Sequence, residues 1–136
     1  MNYIRIVLFS LLTWLGWWIS SDNVSKAFGP ISSIVEVSGV LNVWAGFCSI
    51  IAGLYLVIYS IKDEFKLSIP IGEINKVIIV STLIVSPLLT IAIYSQMQSV
   101  VSSYVECKSE RKISSRYSSR TYAVSEELCS ALDQHK

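Results

Sequence analysis

Cys107 and Cys129 are the residues of this 136-residue chain whose type and placement could make a covalent bond. Both lie in a polar tail, and a bridge between them would close a loop of about 22 residues. In the chain-entropy description such a closure stabilises by on the order of 3 kcal/mol. It persists only in an oxidising compartment. The alternative is two unrelated free thiols in a cytoplasmic tail, and the sequence leaves both readings open. Zinc chemistry is disfavoured, because His135 is the single histidine and the set Cys107, Cys129 and His135 lacks the paired spacing of a zinc site. The same histidine is a poor base for a cysteine nucleophile, since nothing would orient it. Cys48 lies within an apolar run and reads as a small packing residue. With no catalytic constellation, nucleotide loop or metal cluster, neither enzyme activity nor a cofactor is expected. The 11 Lys and Arg nearly balance the 10 Asp and Glu, so no basic excess invites nucleic acid.

The elements that must position these groups are set by three long apolar runs in a chain that is 52% hydrophobic. A crossing of the hydrocarbon layer takes about 20 apolar residues, and such stretches satisfy their backbone only as helices. The expected fold is an all-α membrane protein. Its transmembrane domain covers 1–105, with spans at about 4–20, 37–61 and 77–97, followed by a short helical tail at 106–136 that a Cys107–Cys129 bridge could pin. Arg5 can snorkel from the first span to the headgroups. That span ends in Trp14, Trp17 and Trp18 where a cleaved signal would carry small residues, so it reads as retained. The third run can continue as a wetter helix through Gln96, Gln98 and Ser102 to Val105. The second and third spans contain no Asp, Glu, Lys, Arg or His, which counts against a proton-coupled pump or ion-selective channel.

Two helix faces carry contact signals. Ala45, Ser49 and Gly53 recur every four residues, the small-residue spacing that lets helix backbones approach in lipid. Thr82, Ser86, Thr90, Tyr94, Gln98 and Ser102 form a polar stripe at the same spacing. Pro87 lies within it and should bend the third span, because it cannot donate to the Leu83 carbonyl. These faces serve either packing within a three-helix bundle or docking of another membrane protein, and a homo-oligomer is also open.

Trp14, Trp17, Trp18, Trp44 and Tyr104 mark one membrane interface; Tyr3, Tyr55 and Tyr59 mark the other. Basic residues conflict about direction. With the N-terminus inside, the inner side holds Arg5, Lys62, Lys66 and Lys76. The outer side holds Lys26, Lys108, Arg111, Lys112, Arg116, Arg120 and Lys136. A count favours the tail inside, whereas Arg5 before the first span and the cysteine pair favour the tail in the periplasm. The expectation is an N-terminus in the cytoplasm and a periplasmic tail.

Within the tail, Ser109–Arg120 reads as mobile on its own, and Tyr122–Leu132 as a short helix with Val124, Leu128 and Leu132 on one face. Arg111, Arg116, Tyr117, Arg120 and Tyr122 could form a protein-recognition patch or a solvated segment near anionic headgroups. Loop Lys62–Lys76 reads as a short interfacial connection.

The segment Arg120–Cys129 (Arg-Thr-Tyr-Ala-Val-Ser-Glu-Glu-Leu-Cys) and the upstream Cys107 resemble small inner-membrane proteins of enteric bacteria, a family carrying a domain-of-unknown-function label. Those proteins have three or four spans and an Arg/Tyr/Cys-bearing tail. The resemblance implies a bacterial inner membrane and carries no activity with it. In architecture the chain also looks like membrane-embedded immunity proteins against toxins or bacteriocins. The first functional expectation is therefore a non-catalytic interaction protein of the immunity type, bound to membrane lipid and to a toxin. The alternatives are a holin-like pore or lysis protein with a cytoplasmic tail, and an accessory subunit of a larger membrane complex.

Overall fold

The computed structural model describes residues 2–134, so His135 lies outside the described residues. Three helices are long and apolar enough to cross a membrane: Tyr3–Phe28, Val40–Phe65 and Ile74–Val101. The elements in chain order are α1 (Asn2–Phe28), β1 (Ile34–Ser38), α2 (Val40–Phe65), α3 (Ile74–Val80), a wide π turn (Ser81–Val85), α4 (Ser86–Val101), β2 (Val105–Ile113), β3 (Ser118–Ala123) and α5 (Glu126–Gln134). The expectation of an all-α fold is thereby corrected: three short strands form one antiparallel sheet in the order β1-β3-β2. The chain divides into two compact units interleaved in sequence. One combines Met1–Ser20 with Trp44–Thr90, the other Ser21–Val43 with Ile91–Lys136.

The first unit is helical, and its interior is small and polar. Gly16, Ser20, Gly46, Gly53, Ser60, Ser86 and Thr90 are buried, while Leu8, Leu11, Leu54, Ile58, Leu83 and Leu88 face outward. In lipid this arrangement is favourable, because apolar side chains gain nothing by leaving the acyl chains, whereas small residues let backbones touch. A Cβ on Gly16 would stand 2.8 Å from Ser49 Cβ and 2.9 Å from the Ile50 backbone nitrogen, and one on Gly46 would meet the Ser20 hydroxyl at 2.7 Å. Gly53 lies against Thr13 in the same way. The face used by α2 is thus Gly46, Ser49 and Gly53, and Ala45 is exposed. An α-helix turns 100° per residue, so each four-residue step drifts by about 40° and only alternating steps of three and four stay on one face.

The same drift corrects the polar stripe of the third span. Ser86 and Thr90 are buried at 0% and 2% exposure, but the buried line then passes to Met97 and Val101 rather than to Gln98 and Ser102. Several hydroxyls of the helices return to their own backbone, whereas those of Ser20 and Ser86 are buried without a partner among the described residues. Thr90 Oγ1 donates to the Ser86 carbonyl at 2.7 Å and Ser60 Oγ to Leu56 at 2.7 Å. A buried hydroxyl satisfied in this manner needs no partner helix.

Pro87 shapes the backbone ahead of it. The Ser86 amide donates to the Ser81 carbonyl, a five-residue reach that makes Ser81–Val85 a π turn. In that register the next carbonyl, Thr82, would accept from residue 87, which has no N–H. Trp44 Nε1 supplies the missing donor, reaching the Thr82 carbonyl at 3.2 Å. Local π geometry plus a neighbouring helix is a known way to carry proline through lipid. Cys48 lies beside this point, its thiol 3.5 Å from the Thr82 hydroxyl. At the far end of α2, Lys66 adopts a left-handed φ of 48° that ends the helix, and the Leu67 amide turns back to the Lys62 carbonyl at 3.1 Å.

The second unit has an apolar core of the ordinary aqueous kind. Ala27, Val35, Val37, Val43, Met97, Val101, Cys107, Tyr122 and Ala123 are buried, and all belong to it. α1 stops at Phe28 because Gly29 and Pro30 follow; the Gly29 amide closes the last turn onto the Ser25 carbonyl at 2.6 Å. Val37 and Ser38, expected at the start of the second span, belong to β1. Burial alternates along Ile34–Val37 with the two-residue period of a strand, and the β-branched residues there favour that geometry.

The Pro87–Trp44 relation is tested by coupling. Trp44→Phe leaves the Thr82 carbonyl without its donor and is expected to cost about 1–3 kcal/mol. Pro87→Ala restores a backbone donor at residue 87 and should absorb most of that cost. Denaturant titration in mixed micelles of both single variants and the double variant measures the coupling; strictly additive effects would refute the account.

Candidate functional site

β1 pairs antiparallel with β3, Ile34 opposite Ala123 and Ser38 opposite Ser119. β3 in turn pairs with β2, Val105 opposite Ala123 and Cys107 opposite Thr121. The first loop and the tail are therefore one folded object. The expected mobile stretch Ser109–Arg120 and the N-terminal part of the expected helix Tyr122–Leu132 are corrected accordingly: both contribute to strands, and the terminal helix starts at Glu126. Glu126 and Glu127 occupy its first turn, where carboxylates complement the helix dipole. The β2–β3 turn is held by Ser114, whose amide donates to the Tyr117 carbonyl at 2.8 Å and whose hydroxyl accepts the Tyr117 amide at 3.0 Å.

Side chains fasten this unit at four places. Cys107 and Cys129 stand at disulfide distance, Cα–Cα 5.2 Å, which attaches α5 to β2. Tyr104 donates its hydroxyl to the Ser32 carbonyl at 2.9 Å, joining the end of α4 to the segment before β1. Asn42, the polar interruption at the start of the second span, donates to the Ser118 carbonyl at 3.2 Å. The Gly39 amide donates to the same carbonyl at 2.8 Å, and a Cβ at Gly39 would collide with Ser118. The fourth is Glu36, whose Oε1 accepts from Ser119 Oγ at 2.6 Å and lies 3.5 Å from Lys112 Nζ. The hydrogen bond from Ser119 first, and then the Lys112 charge, hold the Glu36 carboxyl below its ordinary 4.5 although partial burial opposes them.

The expected recognition residues are separated by the sheet. Tyr122 is buried at 8% exposure, so it belongs to the core. Arg116 and Tyr117 are exposed at the hairpin turn. Lys108, Ser109, Glu110 and Arg111 bulge out opposite Arg120 alone, because Cys107 faces Thr121 and Lys112 faces Ser119. The bulge lets Arg111 turn back to Glu106 at 3.3 Å, a part-exposed pair that contributes little to stability. Arg120 is exposed, and the neighbouring Tyr122 is the main influence that raises its pKa. Sequence reasoning missed the Glu36–Ser119–Lys112 cluster, since its members are up to 83 residues apart; the β-branched run Ile34–Val37 was the available signal. Among the described residues, no group of three His, Cys, Asp or Glu side chains is placed to hold a metal ion.

Two outcomes follow from this geometry. In a Cys48→Ala background, maleimide should label Cys107 and Cys129 only after reduction. Reduction should lower the unfolding free energy of this unit by about 3 kcal/mol, read as faster amide exchange in α5. Labelling without reductant would contradict the bridge. Because the folded Glu36 carboxyl lies below 4.5, its contribution is complete above that pH and is lost as acidification passes the lower folded value. Ser119→Ala should move the Glu36 titration upward, followed by the carboxyl-carbon shift in NMR; an unmoved curve would remove Ser119 as the cause.

No protein-family model matches the chain, and no curated protein or solved structure matches it either.

Proposed function

We propose that this chain is a non-catalytic interaction protein of a bacterial inner membrane, of the toxin-immunity type. Its spans hold the chain in the membrane, and its tail lies in the periplasm and meets the toxin. One observation supports this reading above others: two segments far apart in sequence build a small folded unit with Cys107 and Cys129 at disulfide distance. A bridge of that kind lasts only in an oxidising compartment, which fits a periplasmic tail and disfavours the cytoplasmic tail of a holin-like protein. Arg116 and Tyr117, exposed at the hairpin turn, are residue types that dominate protein interfaces. They sit beyond the sheet core, so their replacement leaves the fold standing.

Deletion of the chain should sensitise its host to a co-encoded or competitor toxin. The double variant Arg116→Ala, Tyr117→Ala should lose protection while keeping its membrane level and its disulfide. Unchanged sensitivity of the deletion strain to every such toxin would refute the proposal.

A further inference from the structure

The sheet unit contains a cavity of about 270 Å3 whose lining includes Val40, Tyr94, Gln98, Ser118, Ser119 and Arg120. Arg120 is the one charged residue of that lining, and no carboxylate contributes to it. Among the described residues Arg120 forms no ion pair; Glu106, the carboxylate that acts on it, is engaged by Arg111 at 3.3 Å. Tyr122, and more weakly Tyr94, act electrostatically on the Arg120 guanidinium. The cavity thus offers the Arg120 cation beside the phenol of Tyr94, the amide of Gln98 and the hydroxyls of Ser38 and Ser118, while the Ser119 hydroxyl is held by Glu36 at 2.6 Å.

Its depth follows from the chain itself. Val40 opens the span Val40–Phe65, and Tyr94 and Gln98 lie in the last turns of the span Ile74–Val101. Counted from Ile74, the roughly 20 residues that cross the hydrocarbon end near Ile93, so these groups stand at headgroup level. Toward the hydrocarbon, Leu41 and Ile91 on the same two helices are 74% and 64% exposed and supply apolar surface for acyl chains.

We propose that this cavity binds the headgroup of an anionic phospholipid, with Arg120 holding the phosphate and Tyr94 and Gln98 positioning the polar remainder. A planar guanidinium matches phosphate oxygens in a two-point hydrogen bond. Basic pockets beside transmembrane helices recognise anionic headgroups on this basis. A choline or ethanolamine headgroup would bring a second cation next to Arg120, and the carboxylate nearest the lining, Glu36, is already engaged by Ser119 and Lys112. The glycerol hydroxyls of phosphatidylglycerol would instead find the Ser, Gln and Tyr groups. This assignment requires only that the three helices cross a membrane and is independent of any toxin partner.

The test is native mass spectrometry of the full chain in mild detergent, titrated with phosphatidylglycerol or phosphatidylcholine. The chain should retain one phosphatidylglycerol and hold it at least roughly tenfold more tightly than phosphatidylcholine. Arg120→Gln should weaken that binding about tenfold, whereas Lys108→Gln, which removes a cation of the same unit outside the cavity, should not. Equal loss in both variants would reduce the effect to diffuse charge and overturn the site, as would equal retention of the two lipids. Displacement by glycerol 3-phosphate at matching concentration would mark a site for soluble phosphate and also overturn the proposal. If Arg120→Gln disturbs the fold, seen as free Cys107 and Cys129 thiols, Tyr94→Phe with Gln98→Ala carries the test. That pair should weaken phosphatidylglycerol binding several-fold, and unchanged binding would refute the site.

Discussion

Hydrocarbon offers a backbone amide or carbonyl no hydrogen-bond partner, and this lack governs the helical unit down to single atoms. Hydroxyls there find acceptors on their own helix: Ser60, Ser81 and Thr90 donate to carbonyls four residues back. Proline is the hard case, because it removes a donor that lipid cannot replace. The π turn before Pro87 moves the unsatisfied acceptor to Thr82, where the Trp44 indole reaches it. A tryptophan that sequence reading assigns to an interfacial belt therefore has a backbone acceptor of its own.

The two units show opposite interiors made by one chain. Burial of apolar side chains is favourable only where the alternative is water. In the sheet unit that condition holds, and the buried apolar residues from Ala27 to Ala123 collect there. In the helical unit the alternative is acyl chain, so leucines and isoleucines face out and Gly16, Gly46 and Gly53 face in. Close contact between glycines and facing backbones then replaces hydrophobic burial as the source of cohesion, through dispersion. The tight fit at Gly16 leaves little room even for a methyl group.

Pairing of β1 with β3 links segments separated by two apolar helices. Three short strands carry too little apolar surface to be stable alone. The helix ends supply the rest through Ala27, Val43, Met97 and Val101, and the Cys107–Cys129 pair attaches α5. Glu36, Ser119 and Lys112 then bind all three strands through one carboxylate, which makes a single side chain of the first loop a keystone for the tail.

Sequence by itself determined that three segments are long and apolar enough to cross a membrane as helices, and that Cys107 and Cys129 could meet. These follow from local quantities, namely run length, residue size and chain separation. The sheet was not read from the sequence, because each strand gains its hydrogen bonds from a partner that no local pattern names, and the β-branched run Ile34–Val37 is its only local trace. Tertiary structure decided that Tyr122 is core, that Gly46 rather than Ala45 meets α1, and that the buried line leaves Gln98 for Met97. It also placed Arg120 beside Tyr94 and Gln98. The physical reason is common to all of these. A helix face rotates by a fraction of a turn that spacing rules round off, and a strand's inside is defined only by what packs against it.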